Sequence, residues 1–279
     1  MINKKKILII GGDSKLAKKF IRKFNNIYEI LYTTKKSDNK NLRDCIFLNL
    51  NDDFRKWELP DIKFDWILIC ASITNISYCE KHPKITKKIN IEKTLEIIKL
   101  FNTKSKIIFF SSNEVLLGSG KTGLPTKKPI SEYGRQKAKV EEVILQKYNN
   151  TFILRLSKIY NQQDKLFKTW ITNLQKNNKI YPFDDLYVSL ISYNAAINII
   201  KYIIENKHCP QLIQLSGSKD FSYYNLALEL SSHLNSDQSL IIPTSGIGVV
   251  NKNRLSVKTS ISNTYNPDLF GPIDLKVFY

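Results

Sequence analysis

Four apolar residues, Ile7-Leu8-Ile9-Ile10, follow Lys6 and stop at Gly11-Gly12-Asp13-Ser14. From residue 15 to 24 the spacing changes. Leu16, Ala17, Phe20, Ile21 and Phe24 recur at the intervals of one helix face. Strand, glycine turn and helix in that order form the first unit of a dinucleotide-binding fold. Further strand-like runs follow at 28–32, 45–50, 66–71, 107–110 and 151–156, and helical patterns separate most of them, notably at 84–102 and 131–147. Continuous apolar strands alternating with helices predict a parallel sheet covered on both faces, an α/β doubly wound architecture.

After about residue 160 the rhythm is different. Helices are predicted at 163–176, 193–205 and 222–235, with strand-like pieces at 179–190 and a Ser-, Asn- and Pro-rich stretch beyond 240. The expected organisation is a Rossmann-type nucleotide-binding domain over 1–160, to which a helix at about 188–206 returns. Residues 161–187 and 207–279 are expected to form a smaller substrate-binding lobe.

Composition narrows the function. At 279 residues and 42% hydrophobic content the chain can bury a substantial core. No apolar run reaches the 18 or so residues of a membrane span. The apolar stretch after the basic start is too short for a signal peptide, so a cytoplasmic protein with no membrane partner is expected. Four scattered Cys and three His form no metal-ligand pattern, and reduced, mostly buried thiols are expected. The net charge of +18 comes from Lys spread along the whole chain, with only six Arg. That pattern argues against a nucleic-acid partner and suits steering of a polyphosphate ligand.

The candidate chemistry lies in two places. Ser111-Ser112 ends the run 107–110, and Tyr133 and Lys137 stand four apart near the start of the 131–147 helix. Positions i and i+4 share a helix face. A hydroxyl, a phenol and an ammonium facing one spot can hold a carbonyl and pass it a proton. The ammonium is expected to lower the Tyr133 pKa from about 10. With 14 Tyr and 37 Lys, chance alone yields about two Tyr-x-x-x-Lys pairs. The chain has two, Tyr32/Lys36 and Tyr133/Lys137, and only the second opens a helix after a strand ending in Ser-Ser.

The second place is the turn Gly11-Gly12-Asp13-Ser14-Lys15-Leu16-Ala17. Of a G-x-x-G-x-x-G loop it keeps the first Gly, with Ser14 at the second position and Ala17 at the third. Ala is tolerable there, where helix and strand pack closely. Ser14 can bond a phosphate or cap the helix. At the end of the second strand, Tyr32-Thr33-Thr34-Lys35-Lys36 has no acidic residue for a ribose hydroxyl and two lysines instead. That favours NADP(H), with NAD(H) left open.

These blocks, in their order, resemble the extended short-chain dehydrogenase/reductase superfamily, and within it the dTDP-4-dehydrorhamnose reductase-like branch of sugar-nucleotide enzymes. The resemblance adds the strand 64–72 ending in Ala71-Ser72, the segment Ile89-Asn90-Ile91, the block 111–118, Pro129 to Glu141, and Leu154 to Tyr160. It implies that Ser112 bonds the substrate carbonyl, Tyr133 donates the proton, and Lys137 binds the nicotinamide ribose. It further implies a cofactor lying along Gly11, Asp13, Ser14, Lys15, Leu16, Ala71 and Ser72, with Asn90 fixing the strand end beside it. Substrate contacts are expected from Ser112, Asn113, Glu114, Lys158 and Arg254, with Tyr160 a further candidate.

The implied activity is NADPH-dependent reduction of a 4-keto nucleotide-diphosphate sugar, supplying a modified sugar for a surface glycan. The oligomeric state is left open, with a homodimer among the candidates. Where reductases of this kind often carry Thr-Asp-Tyr and 4,6-dehydratases Thr-Asp-Glu, this chain has Ser112-Asn113-Glu114. Asn113 has no titratable proton, which disfavours dehydration and leaves the role of Glu114 open. The alternatives are an epimerase or dehydratase with bound NAD, or a non-catalytic NADP-binding subunit.

Overall fold

The computed structural model describes residues 4–36, 44–116, 129–160 and 164–271. Leu117 and Gly118 of the block 111–118 lie outside the described residues. Seven strands form one parallel sheet: β1 (Lys6–Ile10), β2 (Glu29–Thr34), β3 (Cys45–Phe47), β4 (Trp66–Ile69), β5 (Lys106–Ser112), β6 (Thr151–Leu156) and β10 (Leu212–Leu215). Their order is β10-β6-β5-β4-β1-β2-β3. The order reverses between β1 and β4, and ligands of such sheets bind outside the carboxyl ends of the strands at that point.

Successive residues of a strand face opposite sides. Ile7 and Ile9 therefore enter one core cluster with Phe20 and Phe24 of α1 (Lys15–Phe24). Leu8 and Ile10 enter the other, with Ile97 and Ile98 of α4 (Thr94–Phe101) and Val140 and Ile144 of α5 (Glu132–Lys147). Helix α7 (Tyr193–Glu205) packs its Ile197, Ile200 and Ile204 on the α1 side. A third cluster joins Phe167, Trp170 and Leu174 of α6 (Lys165–Gln175) to Leu226 and Leu230 of α8 (Tyr223–Leu234). Two small ribbons lie beside it, β7 (Lys158–Tyr160) with β9 (Leu190–Ser192), and β8 (Tyr187–Val188) with β11 (Phe221–Ser222).

Three elements differ from the sequence pattern. Strand β2 runs on to Thr34, because Thr33 and Thr34 are buried and their hydroxyls hold the glycine turn. The helix expected over 84–102 is two helices, α3 (Pro83–Lys87) and α4, joined by a widened π turn at Lys88–Lys93, with α2 (Ile76–Lys81) before them. Residues 207–279, expected to belong wholly to the second lobe, give strand β10 to the central sheet. No described helix is long and apolar enough to cross a membrane. All four Cys are free, but only Cys79 is buried and the others are half-buried.

Arg155 of β6 is fully buried. Its Nε and Nη2 donate to Glu141 of α5 at 2.9 and 2.6 Å, and its Nη1 donates to Gln214 of β10 at 2.7 Å. Removing one member of a buried, hydrogen-bonded ion pair strands the other charge. Arg155→Met is expected to lower unfolding free energy by about 3–5 kcal/mol, measured by urea denaturation. Adding Glu141→Gln should restore part of that loss, and a loss below about 1 kcal/mol would show that the pair is in contact with water.

Candidate functional site

The turn after β1 brings two strand ends together. Gly11 has φ of +89°, and a Cβ there would lie 2.7 Å from the Ala71 nitrogen. Only glycine meets both demands. Its N–H donates to Thr33 Oγ1 at 2.9 Å, and Thr34 Oγ1 donates to Asp13 Oδ2 at 2.6 Å. Ser14 is the N-cap of α1, its hydroxyl accepting from Ala17 N at 3.1 Å. Of its two sequence roles, capping is the one this geometry displays.

The strand end after β4 is held by Asn90 from the π turn. Asn90 Oδ1 accepts from Ser72 Oγ at 2.9 Å and from Ile73 N at 2.8 Å. Its Nδ2 donates to Ile73 O at 2.9 Å and Gln136 Oε1 at 2.8 Å. A fully buried amide thus has every polar atom partnered, and it ties 72–73 to α5. Widened turns of this kind recur at functional sites.

A cavity of about 640 Å³ opens at the carboxyl ends of these strands. Ser14, Lys15, Leu16, Ser72, Ser112, Asn113, Glu114, Tyr133, Lys137, Lys158 and Arg254 all line it. Lys15 pairs with Asp164 at 2.9 Å. Lys35 and Lys36 are exposed beyond β2 and are not among the lining residues. Tyr160 is not there either. It is buried in the third cluster with its ring edge-on to Phe167, because β7 turns it away from the crevice. Sequence reasoning missed Tyr187, Tyr193, Tyr223 and Thr259, which complete the wall. They come from separate elements with no shared spacing, so no motif marks them.

Tyr133 and Lys137 share the inner face of α5, with Lys137 Nζ 5.6 Å from the Tyr133 ring centroid. Lys137 Nζ donates to Phe110 O at 2.8 Å and sits 4.6 Å from the Phe109 ring centroid. Burial pushes this ammonium down to about 8, against the opposing pull of Glu141. The Tyr133 phenol is raised, first by burial, then by the charge of Glu114, then by Cys79. The expected lowering by Lys137 is therefore corrected. Desolvation of a nearly buried phenol outweighs an ammonium already bonded to a carbonyl.

Ser112 Oγ makes only long contacts, donating to Asn113 Oδ1 at 3.2 Å and accepting from Glu114 N at 3.3 Å. Asn113 Nδ2 donates to Thr259 O at 2.7 Å. Glu114 is held by Arg254 in a two-pronged ion pair, at 2.8 and 2.9 Å. Lys158 is exposed, its Nζ 5.9 Å from the Tyr223 ring centroid.

The parallel sheet with its glycine turn and crevice defines a Rossmann-type α/β protein. Residues 5–264 match the model of the RmlD substrate binding domain family, and the chain belongs to that family. Its fold is similar to that of dTDP-4-dehydrorhamnose reductase from Yersinia enterocolitica, at 22% identity over 99% of this chain and 100% of that one, with a TM-score of 0.76. The Bacillus anthracis dTDP-4-dehydrorhamnose reductase in complex with NADP is 19% identical over 93% and 91% of the two chains, TM-score 0.75. The dTDP-glucose 4,6-dehydratase of Bacillus anthracis in complex with NAD is 16% identical over 93% and 88%, TM-score 0.67. At these identities the likeness is one of fold.

Lys137 is expected to titrate with a midpoint near pH 8, read from its side-chain carbon shift by NMR. The folded state then sheds a proton that the unfolded chain keeps up to its ordinary value. The cost of burying this ammonium is fully present below pH 8, and stability gains from its relief as pH rises above that. A midpoint above about 10 would mean that the ammonium is solvated.

Proposed function

We propose that this protein reduces a 4-keto nucleotide-diphosphate sugar with NADPH as hydride donor. The observation that carries the reading is the placement of Ser112, Tyr133 and Lys137 around one cavity beside the glycine turn. The residues suit a dinucleotide. Gly11 lets the turn pass against Ala71 where any Cβ would collide, and the capped N-terminus of α1 offers backbone N–H groups to an anion. Gly11, Asp13, Ser14, Lys15 and Leu16 would hold the pyrophosphate side, and Ala71, Ser72 and Lys137 the nicotinamide side, with Asn90 supporting them. When bound, the cofactor supplies the hydride.

The chain's own residues do the rest. The loosely held Ser112 hydroxyl turns to donate to the substrate carbonyl oxygen. Tyr133, kept protonated by its surroundings, donates the proton to that oxygen as charge develops on it. Lys137 bonds the nicotinamide ribose and places a positive charge beside the phenol. Lys158 offers positive charge to a diphosphate, Arg254 is spent on Glu114, and Asn113 and Glu114 border the sugar. The product is a modified sugar donor for polysaccharide assembly in the cytoplasm, and a homodimer is the proposed assembly.

A dehydratase reading needs an acid at position 113. Asn113 has no proton to give, and its amide is spent on Thr259 O. For the cofactor, Lys35 and Lys36 support a 2′-phosphate. Asp13, bonded to Thr34 at the end of β2, brings a carboxylate there and supports NAD(H) as the second reading.

Two measurements test this. Tyr133→Phe is expected to lower kcat by about 10³-fold or more while leaving the Kd for NADPH within a few-fold. Near-normal turnover would remove the proton-donor role. The double variant Lys35→Glu with Lys36→Glu should weaken NADPH binding by at least about tenfold and leave NADH unchanged, followed by cofactor fluorescence. Equal effects on both cofactors would remove the NADP preference.

A further inference from the structure

Glu114 sits buried at the end of β5, in the wall of the cavity that also holds Tyr133. A carboxylate there invites a role as acid or base, but three of its roughly four acceptor sites are taken. Oε1 accepts from Arg254 Nη2 at 2.9 Å. Oε2 accepts from Arg254 Nη1 at 2.8 Å and from Ser131 Oγ at 2.7 Å. A forked guanidinium is the most directional partner a carboxylate has.

These contacts lead towards Tyr133 and away from solvent. Ser131 is the N-cap of α5, its hydroxyl accepting from Gly134 N at 3.0 Å. The first turn of α5 also rests on the Glu114 backbone, since a Cβ at Gly134 would lie 2.6 Å from Glu114 O. Tyr133 stands between Ser131 and Gly134 in that turn. On the other side, Arg254 belongs to the C-terminal segment that also supplies Thr259 O to Asn113, and Thr259 and Ser260 are pinned by Asp220. The charges around Tyr133 are Glu114 from the end of β5 and Lys137 from α5, with the Cys79 thiol from α2.

We propose that Glu114 and Arg254 act as one charge-compensated positioning unit for Tyr133, and that neither transfers a proton. The guanidinium ties the C-terminal segment to the end of β5, and the carboxylate passes that tie through Ser131 to the first turn of α5. Without Arg254 a bare carboxylate is left beside the phenol. The damage from losing Arg254 is therefore repaired by also removing the charge of Glu114. The turnover part of this proposal rests on the reductase reading, and the exchange part does not.

The test is a double-mutant cycle with Glu114→Gln, Arg254→Met and both together, using NADPH and a 4-keto nucleotide sugar that the wild type reduces. Arg254→Met is expected to lower kcat by about 30-fold or more, with KM for the sugar nucleotide moving less than about threefold. Glu114→Gln costs about five- to tenfold, and the double variant regains at least about fivefold over Arg254→Met. Amide exchange at Gly134 is measured on the same four proteins. It should accelerate by about tenfold in Arg254→Met and slow again in the double variant.

Three results would overturn the proposal. One is a double variant no faster than Arg254→Met. Another is a loss of about 10³-fold for Glu114→Gln in either background, which marks a proton-transfer group. The third is a loss carried by KM alone, which marks Arg254 as a direct substrate ligand. If Arg254→Met does not fold, Arg254→Gln replaces it, losing both the charge and the fork while keeping a polar side chain, and the same cycle is read. If the wild type reduces no keto sugar, the reductase reading falls, and Gly134 exchange alone decides whether the pair positions α5.

Discussion

A guanidinium with no exposure to water has to be neutralised where it lies, and the way Arg155 is neutralised sets the geometry of the site. Its fork closes on Glu141, which follows Tyr133 by two helical turns and Lys137 by one. The register places Arg155 opposite Ser111, one residue before Ser112. One buried ion pair thus fixes how far α5 slides along β5 and β6. Apolar packing of Val140 and Ile144 would hold the helix down, but it tolerates repacking. The charge pair has one good arrangement, and it carries Tyr133 and Lys137 with it. Gln214 adds β10 to the same network, accepting from Arg155 while its own Nε2 donates to Ser262 O.

The crevice depends on a second constraint, the close approach of two strand ends. At Gly11 the chain passes Ala71 at a distance that excludes a side chain. That closeness leaves backbone polar groups needing partners. Thr33 supplies one to Gly11, and Asn90 supplies two to Ile73. The π turn follows from this. A regular helix over 84–102 would rotate Asn90 away from the strand end, and the widened turn lets its amide reach both Ile73 and Gln136.

What could be read from the sequence follows from how local each signal is. The unit from β1 to α1 and the amphipathic α5 are written in short-range spacing, so they and the facing of Tyr133 and Lys137 were legible. Strand β10 was not, since Leu212-Ile213-Gln214-Leu215 is four residues long and Gln214 breaks its apolar run. The apolar run 28–32 stopped short of Thr33 and Thr34, because two Thr followed by two Lys carry no apolar signal. Both Thr are buried for the bonds they make to residues some twenty positions earlier. The partner of Glu114 lies 140 residues away, and no spacing rule reaches that far. The direction of the Tyr133 shift depends on burial, which a pair of residues four apart cannot report.

Tyr133 and Lys137 are both moved towards their neutral forms, and the same desolvation moves both. A buried phenol loses stability on ionising, and a buried ammonium loses stability on staying charged. For a group that must give up a proton only when an oxyanion forms beside it, a high resting value has a use. In the proposed reduction Tyr133 keeps its proton at neutral pH and would donate it when negative charge develops on the substrate oxygen. Lys137, near 8, stays largely charged at neutral pH and supplies the opposite sign one helical turn away. Reduction of a carbonyl needs this pairing, a proton donor that does not leak and a cation that steadies what it leaves behind. Elimination of water would need a free carboxylate and a carboxylic acid, and at those positions the chain has an arginine-bound Glu114 and the amide of Asn113.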